Sequence, residues 1–245
     1  MQLSAPLYRL KREARLLSRE AGIPLAAALD RIAAREGHAR WSLLAQRAAE
    51  RSPAALIYPR LRPGEMILVA ARPGQGKTLL ALELAIEAMK AGNRAAVFTL
   101  EYVECEVEAR LERLGARGQL KDLLAFDCSD GICAARITGR LQGCAPGTLV
   151  VVDYLQILDQ RRDTPDLGTQ VAELSAFARR SGAVLVFVSQ VDRTFDPVLK
   201  PLPDLADLRL PNPLDLSLFD RAVFLQAGRL RLADLGEGSK QEQFS

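Results

Sequence analysis

A chain of 245 residues, 49% of them hydrophobic, is long enough for one sizeable domain and an appendage. No apolar run approaches the roughly 20 residues that span a bilayer, and the charged N-terminus does not read as a secretory leader, so a cytoplasmic protein without a membrane segment is expected. The formal net charge of +3 is unevenly spread: residues 1–62 hold 12 Lys/Arg against 5 Asp/Glu, and the rest hold 21 against 25.

The basic N-terminal part, residues 1–52, reads as three short helices. Leu3, Leu7, Leu10, Ala14 and Leu17 recur at helical spacing, with Arg9, Lys11, Arg12, Arg15 and Arg19 between them. Gly22-Ile23-Pro24 breaks the pattern before a second helix through Leu25, Ala28, Leu29 and Ile32. Gly37 ends that helix, and Trp41, Leu44, Ala45 and Ala48 suggest a third. Two functions compete for this module: contact with DNA phosphates, or docking of a protein partner or neighbouring subunit. A solvated helix face is the commoner meaning of such charge, and docking is the preferred expectation. Residues 53–64, with Pro53, Pro59 and Pro63, read as a linker.

An apolar strand, Met66–Ala71, then runs into Arg72-Pro73-Gly74-Gln75-Gly76, and Lys77, Thr78 and Leu79 open a helical pattern. Glycines let backbone N–H groups turn inward, and the helix N-terminus behind them favours phosphate. A lysine at this place reaches the outer phosphates of a nucleotide, and the following hydroxyl ligates Mg²⁺. The alternative is a Gly-rich strand-to-helix turn that binds nothing. Ala71 stands where the usual loop pattern has its first glycine.

Four further apolar runs follow: Ala95–Leu100, Leu123–Phe126, Leu149–Asp153 and Val184–Ser189. Helical patterns lie between and before them over 77–91, 102–114, 131–142 and 167–181. Alternation of this kind predicts an α/β domain over residues 65–235, a mainly parallel sheet covered by helices. Chemistry in such sheets sits at the carboxyl ends of the strands. There the sequence places Glu101, a candidate general base for water, Asp153, a candidate Mg²⁺ ligand, and Gln190, a candidate γ-phosphate partner. Each alone would read as a helix cap or loop side chain. Four cysteines without a Cys-x-x-Cys pair, and a lone distant His38, read as free thiols rather than a disulfide framework or a zinc site.

Ala-Arg-Pro-Gly-Gln-Gly-Lys-Thr (71–78), Phe-Thr-Leu-Glu (98–101), Val-Val-Val-Asp-Tyr-Leu-Gln (150–156), Val-Ser-Gln-Val-Asp-Arg (188–193) and Asp-Leu-Arg (207–209) occur in that order. Together they resemble the RecA-like P-loop ATPase domain of DnaB-type replicative helicases, over roughly residues 62–226. The resemblance implies ATP and Mg²⁺ as cofactors, held by Arg72 to Leu79 with Thr78 and Asp153 on the metal. Glu101 would activate water, and Gln190 would sense the γ-phosphate. It also implies single-stranded DNA as a partner and assembly as a homo-oligomer.

Three departures qualify that reading. About fifty residues of a different helical pattern stand where the family has a large N-terminal collar domain. The segment 159–166 is short, and Arg161 and Arg162 are its cations for a DNA strand. The C-terminal hairpin that carries the family's inter-subunit arginine finger reads as curtailed. Arg229 and Arg231 are candidate substitutes, though surface arginines are the plainer reading, and residues 236–245 read as a disordered tail. Two functions are therefore expected to compete: a DNA-dependent ATPase of helicase type, and a nucleotide-dependent switch or scaffold that docks a protein.

Overall fold

The computed structural model describes residues 4, 7–50, 52–116, 118–159, 164–210, 212–236 and 241–244. The chain divides into two compact units, Met1–Leu56 and Ile57–Ser245.

The first unit holds the three helices its periodicity predicts, α1 (Leu7–Glu20), α2 (Leu25–Arg35) and α3 (Trp41–Glu50). Leu10, Ala14, Ala28 and Ile32 form its core, with Leu17, Ile23, Leu29 and Trp41 packed against them. Trp41 therefore serves as a core anchor. The expected linker region carries a short helix α4 (Pro53–Ile57) and a 3₁₀ turn over Tyr58–Arg60.

The second unit is built on one eight-stranded sheet, ordered β3-β2-β4-β5-β1-β6-β7-β8. Its strands are β1 (Met66–Ala71), β2 (Ala95–Thr99), β3 (Leu124–Asp127), β4 (Leu149–Asp153), β5 (Val184–Gln190), β6 (Arg221–Gln226), β7 (Arg229–Asp234) and β8 (Gln241–Phe244). The first six run parallel, β7 pairs antiparallel with β6, and β8 pairs antiparallel with β7. β1, β2 and β4 are buried along their whole length, because helices cover both faces. Alternate residues point to opposite faces. Met66, Leu68, Val150, Val152, Leu185 and Phe187 share one core with Ile137, Val171, Leu174 and Phe219. On the other face α5 (Lys77–Lys90) packs across β1, β2, β4 and β5. Phe187 and Phe219 meet edge to face with ring centroids 5.5 Å apart.

Local chemistry sets the remaining boundaries. The helix expected over 131–142 shortens to α7 (Ala134–Arg140). Asp127 ends β3 by accepting the Ser129 N–H at 3.1 Å and its hydroxyl at 2.6 Å. The first N–H of α7 donates to the buried Gln170 side chain at 3.0 Å, from α8 (Leu167–Ser181). Asp166 caps α8 by accepting the Thr169 N–H, and Gly182 ends it at φ 72°. The remaining long helix is α6 (Glu104–Leu114). β6 and β7 form a hairpin through Ala227 and Gly228, both at positive φ. Gln241–Phe244, inside the segment that the sequence reads as a disordered tail, pairs with β7. No described helix is long and apolar enough to cross a membrane.

Candidate functional site

The carboxyl ends of four adjoining strands, in the order β2-β4-β5-β1, bring the expected stations together. Ala71 is in register with Gln190 of β5, and Asp153 of β4 is in register with Thr99 of β2 and Val188 of β5. Glu101 follows two residues beyond Thr99, its backbone N–H donating to the Thr99 hydroxyl at 3.1 Å, and its side chain is exposed.

The loop after β1 turns on Gly74 at φ 77° and Gly76 at φ 92°, values that favour glycine. A Cβ at either position would meet nothing within 4 Å, so backbone conformation rather than crowding selects glycine, and open space lies beside the loop. Gly76 is the N-cap of α5, which places the uncompensated first N–H groups of that helix at the loop. Lys77 opens the helix and is 8% exposed. Two loop side chains are engaged elsewhere. Gln75 accepts the Ala227 N–H of the β6–β7 turn at 2.8 Å, and the Arg72 guanidinium lies 3.5 Å from the Phe195 carbonyl. Pro73 is exposed and Thr78 and Leu79 are half-buried.

Asp153 is 1% exposed, and neither carboxylate oxygen has a hydrogen-bond partner. Burial, and then the Glu101 carboxylate, push it up to about 6, while Thr78, Lys77 and Arg110 favour its charged form. The Thr78 hydroxyl thus lies among the groups that act on Asp153. A buried carboxylate with two orphaned oxygens, a hydroxyl beside it and a lysine nearby suit a hydrated Mg²⁺ that arrives with phosphate.

Gln190 is half-buried at the end of β5, and its backbone is clamped. The Arg209 N–H donates to the Gln190 carbonyl at 2.8 Å, the Asp192 N–H donates to the Asp207 carbonyl at 2.7 Å, and Val191 bridges Leu208. Gln156 adds a third tie by donating to the Arg209 carbonyl at 2.8 Å. The Asp-Leu-Arg segment is therefore stitched to the strand that carries Gln190 and to the turn after β4. Asp204 and Asp207 cap each other's turn, and Lys200 bridges both.

Arg110 and Tyr102 were not expected. The Arg110 guanidinium lies 4.0 Å above the Tyr102 ring, and its Nε is buried with no partner. Its charge acts on Asp153. Arg161 and Arg162 lie outside the described residues. Of the two hairpin arginines, Arg229 is exposed, whereas Arg231 donates to the Pro203 carbonyl at 2.6 Å and lies over Phe224. Arg231 is thereby held within its own chain.

Comparison with known proteins matches residues 58–123 to the DnaB-like helicase C-terminal domain. The replicative DNA helicase DnaB of Leifsonia xyli is 29% identical over 181 residues, covering 61% of this chain and 40% of the relative. The DnaB of Haemophilus influenzae is 27% identical, covering 65% and 42%. The DNA repair protein RadA of Brucella abortus is 27% identical, covering 53% and 29%. The chain thus spans less than half the length of these relatives. In fold, it superposes on a solved ATPase domain with a TM-score of 0.57 at 17% identity, covering 75% of this chain and 81% of that one. A DnaB-like replicative helicase, solved in a study of its interactions with primase, gives a TM-score of 0.60 at 16% identity, covering 96% and 74%. In motif order, in the family match over residues 58–123 and in its mainly parallel sheet, the body of this chain is similar to the ATPase domains of DnaB-like helicases.

Proposed function

We propose that the chain binds ATP with Mg²⁺, hydrolyses it, and couples hydrolysis to DNA. The observation that carries this reading is the convergence of Lys77 and Thr78, Glu101, Asp153 and Gln190 on adjoining strand ends. In this reading the loop amides from Arg72 to Leu79 and the Lys77 ammonium bind the phosphates, while Thr78 and Asp153 hold the Mg²⁺ shell. When bound, Mg²⁺ neutralises charge on the phosphates. Glu101 accepts a proton from water whose oxygen attacks the γ-phosphorus, and ADP departs. Gln190 hydrogen-bonds the γ-phosphate, and the backbone bonds from Arg209 to Gln190 and from Asp192 to Asp207 pass its state to the Asp-Leu-Arg segment. Single-stranded DNA is the proposed partner and a homo-oligomer the proposed assembly. The free cysteines support a reducing, cytoplasmic setting.

The test is steady-state ATP turnover with Mg²⁺ for the wild type and two variants. Lys77→Ala should abolish nucleotide binding. Glu101→Gln should keep binding and lose at least about 100-fold in turnover, because positioning survives without the base. Wild-type turnover in Glu101→Gln would reduce Glu101 to a strand-end side chain.

A further inference from the structure

α1 carries charge in a pattern that its packing does not require. Its core-facing residues are Leu10 and Ala14, both fully buried, with Leu17 beside them. At about 100° per residue, Arg12, Arg15 and Arg19 fall within about 60° of one another on the opposite face. All three are exposed. They span about seven residues, about 10 Å of helix, with Lys11 on one flank. Glu20 and Glu13 lie off the other flank, nearer Arg9.

The acids of this unit do not answer that stripe. Glu13 pairs with Arg35, and Glu36 accepts from Ser4 and lies 3.6 Å from Arg35. Asp30 accepts the Trp41 N–H at 2.8 Å. Hydrogen bonding from Ser4 holds Glu36 below its ordinary range, so it stays charged and committed to its own partners. Glu13, Asp30 and Glu36 are thus engaged within the unit, and although Arg9, Arg31 and Arg40 are also exposed, Arg12, Arg15 and Arg19 are the ones that line up on one helix face. A ridge of guanidinium groups along one helix matches a run of phosphodiester oxygens, which guanidinium binds through paired donors. A protein partner expected from sequence would need a cluster of apolar anchors at its centre, whereas a single exposed apolar side chain, Leu16 at 49%, flanks the stripe beside Arg12.

We propose that the Arg12–Arg15–Arg19 face of α1 is a nucleic-acid backbone site, binding phosphates without reading sequence and without needing ATP. It gives the chain a grip on nucleic acid separate from the nucleotide site, and it does not depend on the function proposed for that site.

The test uses the full chain, without nucleotide, and fluorescein-labelled 30-mer oligonucleotides, one single-stranded and one duplex, followed by anisotropy across salt. Three phosphate contacts give a log–log salt slope of about −2 for single strands and about −3 for duplex. Between 50 and 200 mM salt the stripe should therefore account for a roughly twenty- to fortyfold loss of affinity. The triple variant Arg12→Gln, Arg15→Gln, Arg19→Gln should bind weakly and with a slope flatter by about 2 to 3. The matching triple Lys variant should keep the slope, because charge is retained, and thereby shows that the helix tolerates substitution on this face. Lys77→Ala should bind oligonucleotide as the wild type does, and basal ATP turnover should be unchanged in both triple variants. Unchanged affinity and slope in the Gln variant would overturn the proposal, as would loss of binding in the Lys variant or absence of salt-sensitive binding in the wild type.

Discussion

At the scale of single residues, the site divides between side chains that announce themselves and one that does not. Lys77, Thr78 and Asp153 are legible because each sits at a fixed offset from a glycine or an apolar strand, and the register of β1, β4 and β5 then has no freedom to separate them. Arg110 is not legible, since nine residues beyond Glu101 on a helical pattern is an ordinary place for a solvated arginine. Only the fold reveals that its charge reaches Asp153 and that it is held over Tyr102. Arg110 is a positioning residue in this account, holding the electrostatics around Asp153 and the turn that carries Glu101. Arg110→Ala should lower kcat about tenfold with little change in KM, because nucleotide binding rests on the loop and Lys77. Arg110→Lys should recover only part of the loss, since an ammonium lacks the planar face that lies against the tyrosine ring. A rise in KM at unchanged kcat would instead place Arg110 in nucleotide binding.

At the scale of elements, the helix behind the phosphate loop carries a cost of its own. α5 buries Leu80, Ala81, Leu84, Ala85 and Ala88, and Glu83 lies among them half-buried. Burial, and then the Glu87 carboxylate, push Glu83 up to about 7, with Lys90 acting in the opposite sense. A carboxyl whose folded value is raised favours the folded state while protonated. Its contribution is fully present below about 4.5, the unfolded value, and is lost as pH rises through about 7. The change amounts to roughly 3 kcal/mol at about 1.4 kcal/mol per pH unit. Glu83→Gln should therefore be more stable than wild type in urea at about pH 8 and nearly equal to it at about pH 4.5. An equal difference at both values would show that Glu83 does not titrate in this window. The five central strands were readable as elements because continuous apolar runs between helical patterns have few other meanings. The β6–β7 turn was harder, since Ala227-Gly228 lacks the Asn-Gly or Asp-Gly signal that usually marks a two-residue hairpin. α7 starts late because Cys133 is extended and the Ala134 N–H is taken by the Gln170 side chain of α8, a tertiary contact that hydrophobic periodicity does not carry.

At the scale of the whole molecule, each unit holds a core of its own. Leu10, Ala14, Ala28 and Ile32 close the core of the first unit, and the core around Leu68, Val152 and Phe187 draws only on residues of the second. Every residue of the proposed nucleotide site also lies beyond residue 57. A chain starting at Ile57 should therefore fold cooperatively and turn over ATP at the full-length basal rate, because the core around Leu68, Val152 and Phe187 and the proposed nucleotide-site residues lie within it. Its response to DNA should differ. If the helicase-type body couples to single-stranded DNA through its own surface, added oligonucleotide should still raise turnover several-fold in the truncated chain, but only at higher DNA concentration, since the arginine face of α1 is gone. At about 200 mM salt the two chains should converge, as phosphate contacts weaken together with the advantage they give. ATP turnover against DNA concentration at two salt strengths measures this directly. Failure of the shortened chain to fold would make the first unit part of the main core. Identical DNA responses at low salt would leave the N-terminal unit without a role in nucleic-acid capture, whereas loss of stimulation at every DNA concentration would place the whole DNA response in that unit and leave the body a nucleotide-dependent switch.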